Sequence, residues 1–347
     1  MKSARWLFKR IRLMSNATGR PMKAAFEVTK GTRKVMTLSE AEVEKYLDPE
    51  ELLDGLEDGF RALELEEVQA PPRPELSIPT KGFSLAMPAW RPGMQITVKI
   101  VNVFDHNLDF GLPNHLAVIN LFDSQTGALS CVMDGTHVTG IRTAASAVLA
   151  ARMLSRTGSR IATVIGAGVQ GREHLRLLPL IRDLKFINIC SLHLGDAQKL
   201  AGRSKVARAT ADVEAAVRES DIVCLATHSP EPVIRSEWVK PGAHVSSVGF
   251  HPPDGELPKD LARKHRMFVE TLDAFQPVPV GCSELDGLEV SKGTTLGAVA
   301  LGRKAGRLNE DEITVYKAMG VAMEDMVAAN LAYEKARRDG GGGVMNW

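Results

Sequence analysis

The sequence predicts an α/β fold, and two features of the chain carry that expectation. From Arg160 onward, short apolar runs alternate with helical segments, the texture of a doubly wound parallel sheet. Ahead of it, between Phe83 and Met133, strand-like runs separated by turn residues point to a mainly antiparallel sheet. At 347 residues the chain is long enough for two domains.

The elements follow in order. The first 35 residues carry ten Lys and Arg against one acid, Glu27, while the rest of the chain is net −8. This basic head fits a transit-like segment, a nucleic-acid or membrane arm, or an unstructured extension. The extension is the reading adopted, since Met36-Thr37-Leu38-Ser39-Glu40 reads as a natural beginning. A secretory signal would need an apolar stretch after the first charges. From Leu38 to Leu65 the pattern is helical, opened by a Ser39/Glu42 capping box and continued by Leu52, Leu53, Leu56, Phe60 and Leu63. Residues 70–82, with Pro71, Pro72, Pro74, Pro79 and Gly82, read as an extended loop. Strands are expected over 83–87, 94–104, 116–122 and 128–133, followed by an alanine-rich helix over 140–155.

The glycine pattern then marks a function. The β-branched run Ile161–Ile165 ends in Gly166-Ala167-Gly168-Val169-Gln170-Gly171, and a helical pattern starts at once. Strand, tight turn and helix N-terminus in this order suit the pyrophosphate of a dinucleotide. Further strands are expected over 186–190, 222–226, 243–248 and 266–269. An amphipathic helix is expected from Asp311 to about Arg337, with a loose tail from Gly340. Its Met stripe reads as core.

Composition sets outer bounds. A charged fraction of 24% and a hydrophobic fraction of 44% are those of a water-soluble globular chain, and no apolar run is long enough to span a bilayer. The negative body excludes a general attraction to nucleic acid. Cys131, Cys190, Cys224 and Cys282 lie far apart, which favours buried free thiols over disulfides or a zinc site, and no metal is expected.

Candidate chemistry rests on few side chains. Lys99 interrupts the apolar run from Ile96 to Val103. Buried there, it would have a lowered pKa and could exchange a proton near neutrality; the alternative is a lysine on a solvent-facing edge. Arg142 opens the alanine-rich helix and Arg73 lies in the proline-rich loop, and two arginines with a lysine suit a small carboxylate. Thr227 and His228 follow one expected strand, and Val248 and His251 follow the next, where open parallel sheets hold ligands. His251 is the best-placed acid or base, or else a residue that only shapes the pocket. After the second strand of the glycine-loop unit stand Cys190-Ser191-Leu192-His193, with no acid before Asp196 and no arginine. The choice between NAD and NADP stays open.

Several motifs together resemble the ornithine cyclodeaminase/μ-crystallin family, from about Met36 to Lys335. They are Pro72-Arg73-Pro74, Ala86-Met87-Pro88, Val98-Lys99-Ile100, Gly111-Leu112-Pro113 and the run Leu121–Gly127. They continue with Ile141-Arg142-Thr143, the loop Gly166–Gln170, Ala226-Thr227, Lys240–Gly249, Leu301-Gly302-Arg303 and Gly320–Asp325. The resemblance implies a Rossmann domain over 136–311, inserted into an α+β substrate and dimerisation domain of 36–135 and 312–339. Residues 1–35 and 340–347 would lie outside the core. It implies that Arg73, Lys99 and Arg142 hold the substrate carboxylate and move protons, with Met87 lining the pocket. The cofactor would meet Thr143, Gly166, Ala167, Gly168, Val169, Gln170, Gly171, Ser191, Thr227, His228 and Val248.

The family contains NAD(P)-dependent ketimine reductases and amino-acid dehydrogenases, ornithine cyclodeaminases that use NAD⁺ catalytically, and binders of small hormones. Cyclodeaminases carry an Asp near the position of His251, and an imidazole cannot take over a carboxylate's attraction for an ammonium. The expectation is therefore an oxidoreductase acting on the C–N bond of a small α-imino or α-amino acid. It would be cytoplasmic and homodimeric, without nucleic-acid or membrane partners. A cyclodeaminase-like lyase and a non-catalytic binder are the alternatives.

Overall fold

In the computed structural model, residues 33–278 and 280–347 are described, and every contact discussed below lies within residues 35–345. The basic head, apart from its last residues, lies outside the described part.

Among the described residues the first sheet has seven strands. They are β1 (Lys34–Leu38), β2 (Glu75–Ile78), β3 (Gly82–Ala89), β4 (Ile96–Phe104), β5 (His115–Phe122), β6 (Leu129–Asp134) and β15 (Gly343–Asn346). Their order is β15-β1-β6-β5-β4-β3-β2. From β2 to β6 neighbours pair antiparallel, whereas β1 runs parallel to β6, Met36 facing Cys131. Three corrections follow. Lys34 and Val35, read as the end of an unstructured extension, and Met36–Leu38, read as the natural beginning of the chain, form strand β1; the proline-rich loop contains β2; the tail contains β15. Each strand is short, and a few residues completing a sheet edge leave little periodicity to read.

The second sheet holds β7 (Ile161–Ile165), β8 (Phe186–Cys190), β9 (Ala207–Ala209), β10 (Ile222–Leu225), β11 (His244–Ser247), β12 (Arg266–Val269), β13 (Gly293–Thr295) and β14 (Thr314–Lys317). All its pairings are parallel, in the order β13-β12-β14-β11-β10-β7-β8-β9. The strand order reverses between β7 and β10, which opens a crevice at their carboxyl ends.

Among the described residues nine α-helices connect or cover the sheets: α1 (Glu40–Tyr46), α2 (Pro49–Glu64), α3 (Thr136–Leu154), α4 (Val169–Ile181), α5 (Leu194–Ala201), α6 (Val213–Glu219), α7 (Lys259–Lys264), α8 (Leu296–Ala300) and α9 (Ala322–Asp339). The expected capping box is present, the Ser39 N–H donating to Glu42 at 2.8 Å. The single helix expected over 38–65 is broken at Asp48-Pro49. Asp48 accepts from the N–H groups of Glu50 and Glu51, and Pro49, with no N–H to lose, starts the new helix.

The helix expected from Asp311 is also corrected. Thr314–Lys317 is strand β14, inserted between β11 and β12 and fully buried, and the helix starts only at Ala322. A four-residue apolar stretch buried on both faces looks the same in sequence as a turn of buried helix. α3 is buried on nearly every face because it packs against α2, α4 and α9 and under β5 and β11. Its alanines permit the close approach, and α9 is built the same way against α1, α2, α3, β3 and β4. All four cysteines are buried and unpaired.

Candidate active site

Two groups of side chains meet where these helices bring the sheets together. The first surrounds Lys99. Its neighbours across the sheet are Met87 on β3 and Ile119 on β5, both buried, and Lys99 itself is 1% exposed. An ammonium in that setting needs an ionised partner. Asp325, at the start of α9, supplies it: Nζ lies 2.7 Å from Oδ2. Nζ also stands 3.4 Å from the hydroxyl of Thr139 on α3. Burial pulls the Lys99 pKa down to about 8, with Asp325 opposing and Arg142 assisting the shift.

Arg142 on α3 donates from Nε to Asp325 Oδ1 at 3.1 Å and from Nη1 to Glu324 Oε2 at 2.6 Å. Ser146, one helical turn on, donates to the other oxygen of Glu324. Burial and then the Glu270 charge push the Glu324 carboxyl well above the carboxylate range, against the pull of Arg142. Glu270 accepts from the Tyr316 hydroxyl and from the N–H groups of Met319 and Gly320. Arg73 donates Nη1 to the Gly320 carbonyl at 3.1 Å, and a Cβ on Gly320 would stand 2.6 Å from Arg142 Nη1. The segment from Tyr316 to Asp325 thus draws Arg73, Lys99 and Arg142 into one cluster. Three cations there face the carboxylate of Asp325 and the carboxyl of Glu324, which burial and the Glu270 charge bias toward its protonated form.

The second group lies at the strand ends of the parallel sheet. Gly166, at φ +115°, turns the chain off β7, and a Cβ there would stand 2.2 Å from the carbonyl oxygen of Ala226. A Cβ on Gly171 would meet the Gly166 carbonyl at 1.9 Å, so only glycine lets α4 approach so near. Gly168 is different. Nothing lies within 4 Å of its Cβ direction, and it caps α4 without a side-chain hydrogen bond. Open space beside the free N–H groups of a helix start fits a pyrophosphate.

The other expected cofactor residues lie around this crevice or beside it. Ala167 and Val169 flank Gly168, and Ser191 follows β8. Gln170 turns its side-chain amide to the Gly140 carbonyl on α3, and Thr143 bonds back to Thr139 within α3. Thr227 and Val248 follow β10 and β11. His228 and His251 face each other with ring centroids 4.5 Å apart. His251 Nδ1 lies 3.1 Å from the His228 carbonyl oxygen, which can only accept, so Nδ1 is the donor. Burial, then the neighbouring His251, holds His228 below its ordinary value. His115 on β5 is lowered by desolvation and then by the charges of His228 and Lys99, so it lies within electrostatic reach of both groups.

Glu324 and Asp325 received no role from the sequence, nor did Glu256, Glu270, Glu284 or Lys317. The available signal was a charged residue inside an otherwise apolar stretch, as in Thr314-Val315-Tyr316-Lys317, the same signal that singled out Lys99. Among the described residues no cluster suited to a metal ion is found, and no helix is long and apolar enough to cross a membrane.

Known proteins resemble this chain in sequence and fold. The model of the ornithine cyclodeaminase/mu-crystallin family matches residues 33–340. A ketimine reductase mu-crystallin from Mus musculus is 33% identical over 257 residues, covering 73% of this chain and 80% of its own. A Thermococcus litoralis Δ1-pyrroline-2-carboxylate reductase, solved with NADH and L-proline, superposes with a TM-score of 0.83 at 31% identity. The match covers 89% of this chain and 99% of that one. An archaeal alanine dehydrogenase dimer with bound NAD gives a TM-score of 0.82 at 29% identity, over 90% and 99% of the two chains. By sequence and fold, the chain belongs to the ornithine cyclodeaminase/mu-crystallin family.

Proposed function

We propose that the protein is an NAD(P)-dependent oxidoreductase that acts on the C–N bond of a small α-imino or α-amino acid. One observation carries this reading: a buried lysine with a pKa near 8, among arginines, lies in the same molecule as an open glycine loop of dinucleotide type. The reductases and dehydrogenase named above support it, as does their NAD or NADH.

Arg73 and Arg142 hold the substrate carboxylate. The hydrogen bonds of Arg73 to carbonyls run through Nη1, which leaves Nη2 and Nε as donors for a carboxylate. Lys99 Nζ delivers a proton at the substrate nitrogen in the reductive direction and recovers it in the oxidative one. Asp325 orients Lys99 and Arg142 together, and Met87 packs beside the reacting carbon. When bound, the nicotinamide cofactor supplies or accepts the hydride. His251 serves as an acid or base at the rim. Ser191 and the loop Gly166–Gly171 receive the adenosine and pyrophosphate, and Thr143, Thr227, His228 and Val248 border the nicotinamide half. NAD and NADP both fit.

The substrate side is built from 36–135 with α9, and the cofactor side from the second sheet. A homodimer in the cytoplasm completes the reading. Leu76, Leu108, Phe110 and Leu112 are exposed along the β2 edge and the turn after β4, which gives such a dimer an apolar contact.

The test is a panel of linear and cyclic α-imino acids with NADH or NADPH, and ornithine with NAD⁺. Imine-dependent cofactor oxidation that disappears in Lys99→Ala is expected. Proline and ammonia from ornithine without net NADH would favour a lyase, and tight cofactor binding without turnover a binder.

A further inference from the structure

Glu256 lies in the loop between His251 and α7 and is 1% exposed. Its Oε2 accepts from the N–H and the hydroxyl of Thr227, at 2.6 and 2.7 Å. Its Oε1 accepts from the Ser247 hydroxyl and from the N–H groups of Val248 and Gly249, at 2.9, 3.1 and 2.7 Å. Five donors from two strand-end loops converge on one carboxylate, which saturates it.

A second layer backs this contact. Lys317, fully buried on β14, donates to the Ser247 hydroxyl at 3.1 Å, to Glu284 at 2.7 Å and to the Gly249 carbonyl. Burial pulls the Lys317 pKa down, but the Glu284 charge and its neighbours outweigh it and the net shift is upward. Backbone leaves room for both acids. A Cβ on Gly249 would stand 2.7 Å from the Glu256 carboxyl carbon, and one on Gly255 would stand 2.3 Å from Glu284 Oε1.

Buried ions of this kind are a poor route to stability, since well-packed apolar side chains serve as well or better. What the network supplies is fixed geometry for the loops after β10 and β11. Those strands lie beyond the switch point, on the side away from β8 and β9. A dinucleotide laid across the crevice puts its adenosine half over β8 and its nicotinamide half over β10 and β11. Two and three residues beyond Lys317, the Met319 and Gly320 carbonyls hold Arg73. The same short segment therefore ties the nicotinamide loops to the substrate cluster.

We propose that Glu256 is the positioning residue for the nicotinamide end of the dinucleotide, acting through the backbone of Thr227, Val248 and Gly249. This rests on the dinucleotide reading above. The test compares wild type with Glu256→Gln, whose amide NH₂ faces donors it cannot accept from. Binding of ADP-ribose, which lacks nicotinamide, and of NADH is measured by calorimetry on the full chain. The 2′-phosphorylated pair is used if wild type prefers it.

The expected result is ADP-ribose affinity within about twofold of wild type and NADH affinity at least tenfold weaker. Ser247→Ala, a milder change, weakens NADH by threefold or more in the same pattern. This variant decides the question if Glu256→Gln does not fold. Parallel losses for both ligands, or none, would overturn the proposal. Wild type that binds neither ligand would instead sink the dinucleotide reading itself.

Discussion

Lys99 and Asp325 illustrate how opposite demands meet at one residue pair. A lysine pKa lowered from 10.5 to about 8 leaves the ammonium in place at neutral pH yet within reach of proton transfer. The reductive direction needs the protonated form, so kcat/KM for imine reduction should fall as pH rises through about 8. A profile flat to pH 9.5 would remove Lys99 as the donor. Stability moves the other way. Between about 8 and 10.5 the unfolded chain binds the Lys99 proton more than the folded one, so this residue's contribution increases with pH and is lost as pH falls through 8. Urea midpoints of wild type minus Lys99→Met should accordingly rise over that window. Asp325 answers two cations at once, and removing its charge leaves both buried without it. Asp325→Asn should cost about 3–5 kcal/mol in urea unfolding and most of the activity. A loss below 1 kcal/mol would mean that the pairing is not formed in solution.

At the scale of elements, the glycine loop is the most constrained piece. Gly171→Ala places a methyl against the Gly166 carbonyl, an overpacking worth about 1–3 kcal/mol. Dinucleotide affinity should drop more than tenfold because α4 and its N–H groups are pushed off the strand; unchanged binding would refute the tight approach. This loop was legible in sequence because it is local: β7, β8 and β12 stand where the apolar runs placed them, and the Ser39 cap opens α1. The helix break at Asp48 was also written locally, as an N-cap followed by proline, but the uninterrupted leucine pattern masked it. β14 was not legible. Thr314-Val315-Tyr316-Lys317 takes its strand form from β11 and β12 on either side, partners distant in sequence. The site divides along the same line. Lys99, Arg73 and Arg142 stood out by residue type, whereas Glu324, Asp325 and Glu256 acquire meaning only from the long-range contacts that bury them.

For the whole molecule, α3 touches both groups: Thr139 and Arg142 belong to the cation cluster, and the Gly140 carbonyl accepts from Gln170 of the glycine loop. Proximity of that kind is the main resource of a hydride-transfer site, because reacting carbons must come within about 3–3.5 Å. The proposed homodimer is testable on its own terms. Phe110 is 78% exposed, and Phe110→Asp should shift the sedimentation coefficient from dimer to monomer; wild type that sediments as a monomer would remove the dimer. The central claim is that hydride passes between a nicotinamide and an imine carbon beside Lys99. Its most direct test uses cofactor deuterated at both C4 positions, with mass spectrometry and NMR of the amino-acid product. One deuterium per turnover, on the α-carbon, is expected. Product without deuterium at that carbon would contradict it.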